Sequence, residues 1–132
     1  MKIEDDFPIK LLHHLQLVEI IPSSIIIHAP DGSVFLANSQ FAMMFGYRNP
    51  SELTGKSFFN YISSKDHEYF RRNIEKAKEE GISRQAEYTF IRNDSTSFSG
   101  GMSTSISSHS KDKCFIINVI ADITGRKYLE KR

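Results

Sequence analysis

The chain has no tryptophan and one cysteine, Cys114, among its 132 residues. A lone cysteine excludes an internal disulfide and a multi-cysteine zinc site, and it fits a reducing compartment such as the cytoplasm. Apolar runs such as residues 25–27 and 114–117 are far shorter than the roughly 18 residues of a membrane span. The acidic N-terminal residues 4–6 lack the basic character that opens a secretory signal peptide. We therefore expect a cytoplasmic domain without a membrane span.

The chain also lacks an excess of charge of either sign. Seventeen Lys and Arg residues face sixteen Asp and Glu residues, for a net charge of +1. This balance argues against a nucleic-acid binder, which usually has a concentrated basic face. No Ser-His-Asp or Cys-His grouping is apparent, and no glycine-rich phosphate loop of a known type occurs. The sequence predicts no enzymatic activity and favours a protein or small-molecule partner.

Phenylalanine, in contrast, is abundant. The chain has ten Phe, five Tyr and four Met residues. In one small globular domain this excess predicts either a bulky core or a core that encloses a cavity.

The N-terminal segment, residues 1–21, has the pattern of an amphipathic helix. Leu11, Leu15 and Val18 recur at helical spacing after Pro8, and Pro22 disfavours helix at the residue before it. Such a helix needs an apolar surface to lie on.

The next segment predicts a hairpin followed by a helix. Two short apolar runs flank Pro30-Asp31-Gly32, in which glycine supplies a positive φ angle. Asn38 is placed to cap a helix over residues 39–45, and Gly46 to end it in the left-handed conformation. These signals predict two antiparallel strands and one short helix.

A longer helix and three strands follow. The segment from Ser63 to Asp66 resembles a capping box that opens a helix over residues 65–80. Residues 85–91, 98–107 and 114–123 have strand patterns. The last of these carries apolar residues on both faces, so we expect both faces of the sheet to be covered.

The order of elements predicts an α+β fold. It is a five-stranded antiparallel sheet with helices packed on one face and the N-terminal amphipathic helix as cover for the other. That helix folds back on its own sheet or pairs with the sheet of a second chain, and the sequence leaves both alternatives open.

The pattern resembles the PAS domain, a small sensory module of signalling proteins. The resemblance covers residues 22–127 and leaves residues 128–132 as the start of a connector. The similar segments follow the family's order. Ile26 to Val34 resembles the opening hairpin, Ala37 to Tyr47 resembles the "aN..f..mfGy" helix, and Glu52 to Lys56 resembles the "eLiGk" turn. Further along, Asp66 with Phe70 resembles the long helix, Tyr88 to Asp94 resembles a later hairpin, and Asp122-Ile123-Thr124 resembles the closing "DIT".

Two departures from the family pattern concern the late hairpin. The family's turn "kDGS" reads Asn93-Asp94-Ser95-Thr96 here, without the glycine. In the next strand, Ser99 and Gly100 replace larger apolar residues, which would either widen a pocket or loosen an edge.

The resemblance implies a sensor and dimerisation module of a protein such as a sensor histidine kinase. Its ligand would lie between the sheet and the central helices. Asn118 is the sharpest candidate, because it shares a strand face with apolar residues; it either orients a ligand or is a core amide bonded to a neighbour. The candidate pocket residues are Phe45, Phe58, Phe70, Tyr88, Met102, Ile116 and Asn118.

The cofactors of known relatives find little support. The cysteine that forms a covalent flavin adduct would lie within residues 57–61, where none occurs. A haem-based gas sensor would need His67, which lies one residue past the family's ligand position and so is turned by roughly 100° on a helix. The identity of any cofactor stays open. A ligand-free PAS scaffold for protein interaction and a haem sensor are the alternatives.

Signals would leave through the end of the last strand, where Asp122 and Thr124 would couple the sheet to an output helix. The residues that would form a homodimer, or contact another signalling domain, are Leu11, Leu15, Val18, Ile117 and Val119.

Overall fold

A computed structural model describes residues 23–110 and 113–124. Five strands form one antiparallel sheet in the order β2-β1-β5-β4-β3. The strands are β1 (Ser24–His28), β2 (Val34–Ala37), β3 (Arg84–Ile91), β4 (Ser97–Ser110) and β5 (Lys113–Asp122). The α-helices are α1 (Ser39–Phe45) and α2 (His67–Glu80), and the 3-10 turns are Pro50–Glu52, Phe58–Tyr61 and Ser64–Asp66. The predicted α+β sheet with helices on one face is confirmed, whereas the N-terminal helix lies outside the described residues.

The predicted β1–β2 hairpin forms around Gly32. Its φ angle is 98°, which an L-residue rarely adopts. A Cβ atom at this position would also lie 2.8 Å from the Phe59 ring and 2.9 Å from Ser57 Oγ. The turn therefore requires glycine both for its backbone conformation and for its close contact with Ser57 and Phe59.

Asn38 joins the start of α1 to β1. Its Oδ1 accepts hydrogen bonds from the backbone N–H of Phe41 and of Ile25, both at 3.0 Å. Its Nδ2 donates to the carbonyl of Ser23 at 2.6 Å. The predicted cap is confirmed, and Gly46 ends α1 with a φ angle of 82°.

The predicted capping box at α2 is wrong. The helix begins at His67, after a 3-10 turn, and Ser63 makes no side-chain capping bond. Asp66 Oδ2 instead accepts a hydrogen bond from the backbone N–H of Thr89 in β3 at 2.8 Å, and Ser63 N–H donates to the Thr89 carbonyl at 2.8 Å. Asp66 and Ser63 thus bond to the edge of β3 that has no neighbouring strand among the described residues.

The β2 side of the sheet has a similar arrangement. Val34 N–H donates to the Lys56 carbonyl at 2.8 Å, and Gly55 N–H donates to the Val34 carbonyl at 3.0 Å. Ser33 also forms an isolated bridge with Ser57. The connecting segment between α1 and α2 therefore bonds to both outermost strands.

The β3–β4 turn forms without the family's glycine. Ser95 takes the left-handed conformation, with a φ angle of 71°, at a cost of about 1 kcal/mol for a residue with a Cβ atom. Asp94 Oδ1 accepts hydrogen bonds from Thr96 N–H at 3.0 Å and Thr96 Oγ1 at 2.6 Å, which hold the turn in place.

The sheet buries apolar side chains on both faces, as the pattern of β5 predicted. Ile116 and Ile120 belong to the inner cluster, between the sheet and the helices. Phe115 belongs to an outer cluster on the opposite face, where its ring centroid lies 5.0 Å from that of Phe35. Ile25 and Ile27 complete the buried part of the outer cluster.

Candidate functional site

The predicted pocket residues lie together between the inner face of the sheet and the helices. All seven are at most 3% exposed. They are Phe45, Phe58, Phe70, Tyr88, Met102, Ile116 and Asn118, and all but Asn118 belong to the inner apolar cluster. Their role in ligand binding stays a prediction.

Aromatic rings run through this cluster in direct contact. The rings of Phe41 and Phe45 stack with centroids 4.1 Å apart. Phe70 contacts Phe58 at 5.6 Å and Tyr88 at 5.7 Å, both edge to face. Such ring pairs stabilise a core beyond the burial of their area.

The space above Gly100 is taken by a ring. A Cβ atom at Gly100 would lie 2.5 Å from Cε2 and 2.6 Å from Cδ2 of Phe90. Phe90 is fully buried and stacks on Phe98 with centroids 5.5 Å apart. The small residue in β4 thus accommodates Phe90 against the strand.

Asn118 is half satisfied by the protein. Its Oδ1 accepts a hydrogen bond from Thr104 Oγ1 of the neighbouring strand at 2.8 Å. Its Nδ2 is buried and has no hydrogen-bond partner among the described residues. Buried polar atoms are paired in the great majority of cases, so a buried amide donor without a partner among the described residues is unusual.

His28 was missed as a candidate, although its position in β1 gave a signal. Alternation places Ser24, Ile26 and His28 on one face and Ile25 and Ile27 on the other. The His28 ring is fully buried and stacks on Phe58 with centroids 5.1 Å apart. Nδ1 lies 2.7 Å from the Ala29 carbonyl and therefore carries the hydrogen, which leaves Nε2 as an acceptor without a partner among the described residues.

Burial holds His28 in its neutral form. It lowers the pKa of this ring to about 4 from 6.5, although the Ala29 carbonyl and the Asp31 charge act in the opposite direction. Between these values the unfolded chain binds more protons than the folded protein, so stability falls as the pH is lowered below 6.5.

We expect this effect to reach about 1–2 kcal/mol between pH 6.5 and roughly pH 5, because the slope cannot exceed about 1.4 kcal/mol per pH unit. Urea unfolding of the wild type and of His28→Leu across this range measures it. The stability difference between the two proteins should shift in favour of the variant as the pH falls. Parallel pH profiles would contradict a buried neutral His28.

A third polar atom without a partner lies on the same face. Ser24 Oγ is buried and has no hydrogen-bond partner among the described residues. Ile26 pairs with Asn118 across the β1–β5 register, and Ser24 and His28 lie two positions on either side of Ile26. One face of two neighbouring strands therefore carries three unsatisfied polar groups.

Tyr88 connects the inner apolar cluster to α2. Its hydroxyl accepts a hydrogen bond from Asn73 Nδ2 at 2.8 Å. Burial raises the pKa of Tyr88 to about 12, and the bond from Asn73 opposes that shift. The phenol is thus a neutral group fixed by the helix.

His67 is engaged by backbone. Its Nε2 lies 2.8 Å from the Phe59 carbonyl and 2.9 Å from the Ile62 carbonyl, so this nitrogen carries a hydrogen shared between them. Coordination of haem iron by Nε2 would break both contacts. Within residues 57–61, where a flavin-reactive cysteine would lie, Phe58–Tyr61 form a 3-10 turn capped by Ser57, and Cys114 lies on β5. Across residues 23–110 and 113–124, no three His, Cys, Asp or Glu side chains come together as metal ligands.

The exit of β5 is tied to α1 through Arg92. Asp122 Oδ1 accepts a hydrogen bond from Thr124 N–H at 2.9 Å, and Thr124 Oγ1 accepts one from Ser99 N–H at 3.2 Å. Asp122 Oδ2 lies 3.6 Å from Arg92 Nη2, and Arg92 Nε donates to the Met44 carbonyl at 3.3 Å. A displacement of the strand end would act on these contacts.

The predicted dimer residues divide into two groups. Leu11, Leu15 and Val18 lie outside the described residues. On the outer face, Ile117 packs against the outer cluster and Val119 is 38% exposed.

No helix of the described ranges is both long and apolar enough to cross a membrane.

Comparisons with known proteins agree with this architecture. The fold is similar to a PAS domain from Colwellia psychrerythraea, with a TM-score of 0.76, 14% identity, and 89% of this chain and 99% of that chain covered. It is also similar to a PAS domain from a two-component sensor histidine kinase, with a TM-score of 0.67, 10% identity, and 86% and 96% coverage. The wild-type PAS-B domain of Drosophila melanogaster Cycle with bound ethylene glycol gives a TM-score of 0.67, 16% identity, and 75% and 98% coverage.

Sequence comparison gives the family. A search of curated proteins finds no significant match. The family model described as PAS domain matches residues 22–125. Because this match covers most of the 132 residues, the chain belongs to the PAS domain family.

Proposed function

We propose that this chain is the sensor module of a cytoplasmic signal-transduction protein, such as a sensor histidine kinase, and that it binds a small polar ligand on the inner face of its sheet. PAS domains are sensory modules found in such kinases, and catalysis would belong to another domain. The observation that carries the proposal is a set of three buried polar atoms that have no hydrogen-bond partner within the described part of the chain: Asn118 Nδ2, His28 Nε2 and Ser24 Oγ.

These atoms define the chemistry of the ligand. Asn118 offers a donor, neutral His28 offers an acceptor, and the Ser24 hydroxyl can do either. A hydroxyl group accepts from one and donates to the other, so a small neutral molecule with hydroxyl groups fits them. A charged ligand would lack a buried counter-charge among these three side chains. The Cycle PAS-B structure with ethylene glycol is a relative bound to a molecule of this kind.

Room for the ligand would come from Met102. This side chain lies on the inner face of β4, opposite Ile120 in β5 and Ala86 in β3. Methionine is unbranched and adapts to irregular spaces more readily than the surrounding rings.

The signal would pass along β5. Asn118 lies four residues before Asp122 on the same face of the strand, and Asp122 pairs with Arg92. A ligand bonded to Asn118 would shift this strand relative to α1, since Arg92 also bonds to Met44.

Native mass spectrometry of freshly purified protein tests the ligand. We expect the wild type to retain a small molecule and the double variant Thr104→Val with Asn118→Leu to retain none. Replacement of both partners of a buried hydrogen bond by apolar groups of similar shape is nearly neutral for stability, so the double variant should stay folded. Asn60→Leu changes an exposed asparagine and is the matched control.

Two outcomes would contradict the proposal. A wild type that carries no bound mass and binds no polyol by calorimetry would favour a filled scaffold for protein interaction. A Soret or flavin band in its absorption spectrum would identify a chromophore instead.

A further inference from the structure

A cleft between α2 and the start of β3 is lined by positive charge. Its volume is about 340 Å³, within the range of small-molecule sites. Its lining residues are Tyr69, Arg72, Asn73, Lys76 and Arg84, and we call this site the cationic cleft. Three of the five are cations and none is a carboxylate.

The other cations of α2 are arranged differently. Arg71 pairs with Glu68 at 3.7 Å, and Lys78 pairs with Glu75 at 3.9 Å. Arg72 and Lys76 have no ion-pair partner in the described part of the chain. They lie four residues apart on one helix face, with Glu68 four residues before Arg72 and Glu80 four residues after Lys76.

Arg84 adds an unused buried donor. Its Nη1 lies 3.3 Å from Glu80 Oε1. Its Nε, in contrast, is buried and has no hydrogen-bond partner among the described residues. Glu80 therefore neutralises this guanidinium in part, while one N–H group beside the cleft remains unsatisfied.

We propose that the cationic cleft binds a small phosphate-type oxyanion with two negative charges. A dianion would offset the charges of Arg72 and Lys76. Arginine presents a planar set of donors that matches phosphate oxygens, and lysine contributes a compact charge. Free phosphate and a phosphorylated metabolite share this chemistry.

The site is separate from the inner-face site and does not rest on the function proposed above. The two regions are nevertheless connected. Asn73 lines the cleft and also donates to the Tyr88 hydroxyl, and the Tyr88 ring contacts Phe70 in the inner cluster. An anion in the cleft would therefore act on the ring cluster through one hydrogen bond.

Titration with phosphate, followed by ¹H–¹⁵N NMR at constant ionic strength against chloride, tests the site. We expect saturable shifts of the Arg84 Nε–H signal and of the Asn73 side-chain amide. Arg72→Gln and Lys76→Gln should each weaken phosphate binding by about tenfold or more, as expected when a charge-assisted hydrogen bond is lost. The matched control, Lys78→Gln, removes the same charge from the same helix and should change the affinity by less than about twofold.

Separate titrations distinguish the two possible sources of the oxyanion. Inorganic phosphate and glycerol 3-phosphate are titrated separately, and tighter binding of one identifies free phosphate or a phosphorylated metabolite as the source. The spectra of each variant also report whether it is folded. Arg84 shifts that do not saturate, an equal loss of affinity in Lys78→Gln, or equal binding of succinate would overturn the proposal.

Discussion

Gly100→Ala is expected to lower the thermal unfolding midpoint by about 5–15 °C. The new Cβ atom would lie 2.5 Å from Cε2 of Phe90. Phe90 cannot retreat easily, because it is fully buried and its ring contacts Phe98 and Phe45. Overpacking of this kind costs about 1–3 kcal/mol, which corresponds to several degrees per kcal/mol in a domain of this size. Differential scanning calorimetry measures the shift.

The neighbouring glycine provides the control. A Cβ atom at Gly101 would meet Ile123 Cγ2 at 3.7 Å, which is an ordinary contact. Gly101→Ala should therefore be neutral or slightly stabilising, since alanine lowers the entropy of the unfolded chain. In a Phe90→Leu background the cost of Gly100→Ala should shrink, because the clash involves that ring. Equal effects of the two glycine substitutions would refute this account.

Asn38→Ala is expected to lower the free energy of unfolding by about 2–4 kcal/mol. The substitution removes three hydrogen bonds, which bind Phe41, Ile25 and Ser23. Loss of a helix cap costs about 1 kcal/mol, and a buried backbone group left unpaired costs about 1–3 kcal/mol more. Urea unfolding monitored by circular dichroism gives the value.

Asn60→Ala is the matched control for this prediction. Asn60 is exposed, so its replacement should change stability by less than about 0.5 kcal/mol. A loss below about 1 kcal/mol in Asn38→Ala would show that water replaces the side chain and that the joint between α1 and β1 contributes little.

The features that could be predicted from sequence are local or periodic. The cap at Asn38 and the stop at Gly46 depend on residues within one helix, and the two faces of β5 follow from alternation along one strand. These signals do not require knowledge of distant neighbours. They are sufficient for the order of strands and helices and for the inward orientation of Asn118.

The features that could not be predicted depend on contacts between distant segments. Asp66 looked like a capping residue, but its carboxylate bonds to Thr89, 23 residues further along the chain. The approach of Phe90 to Gly100 and the meeting of Arg84 with α2 likewise arise only when the sheet and helices pack. His28 could have been recognised as inward-facing, but the lack of a partner for its Nε2 among the described residues is a property of the packed core.

The bonds from the segment between α1 and α2 to the outermost strands also limit how this domain can associate. An outer strand with free backbone groups is a template for strand addition and for fibrillar aggregation. Here Val34 of β2 and Thr89 of β3 already have backbone or carboxylate partners outside the sheet. A second protein that approaches at Val34 or Thr89 finds these backbone groups already bonded, so strand addition cannot start at these two positions. The same bonds should disfavour edge-to-edge pairing of two folded domains at these positions.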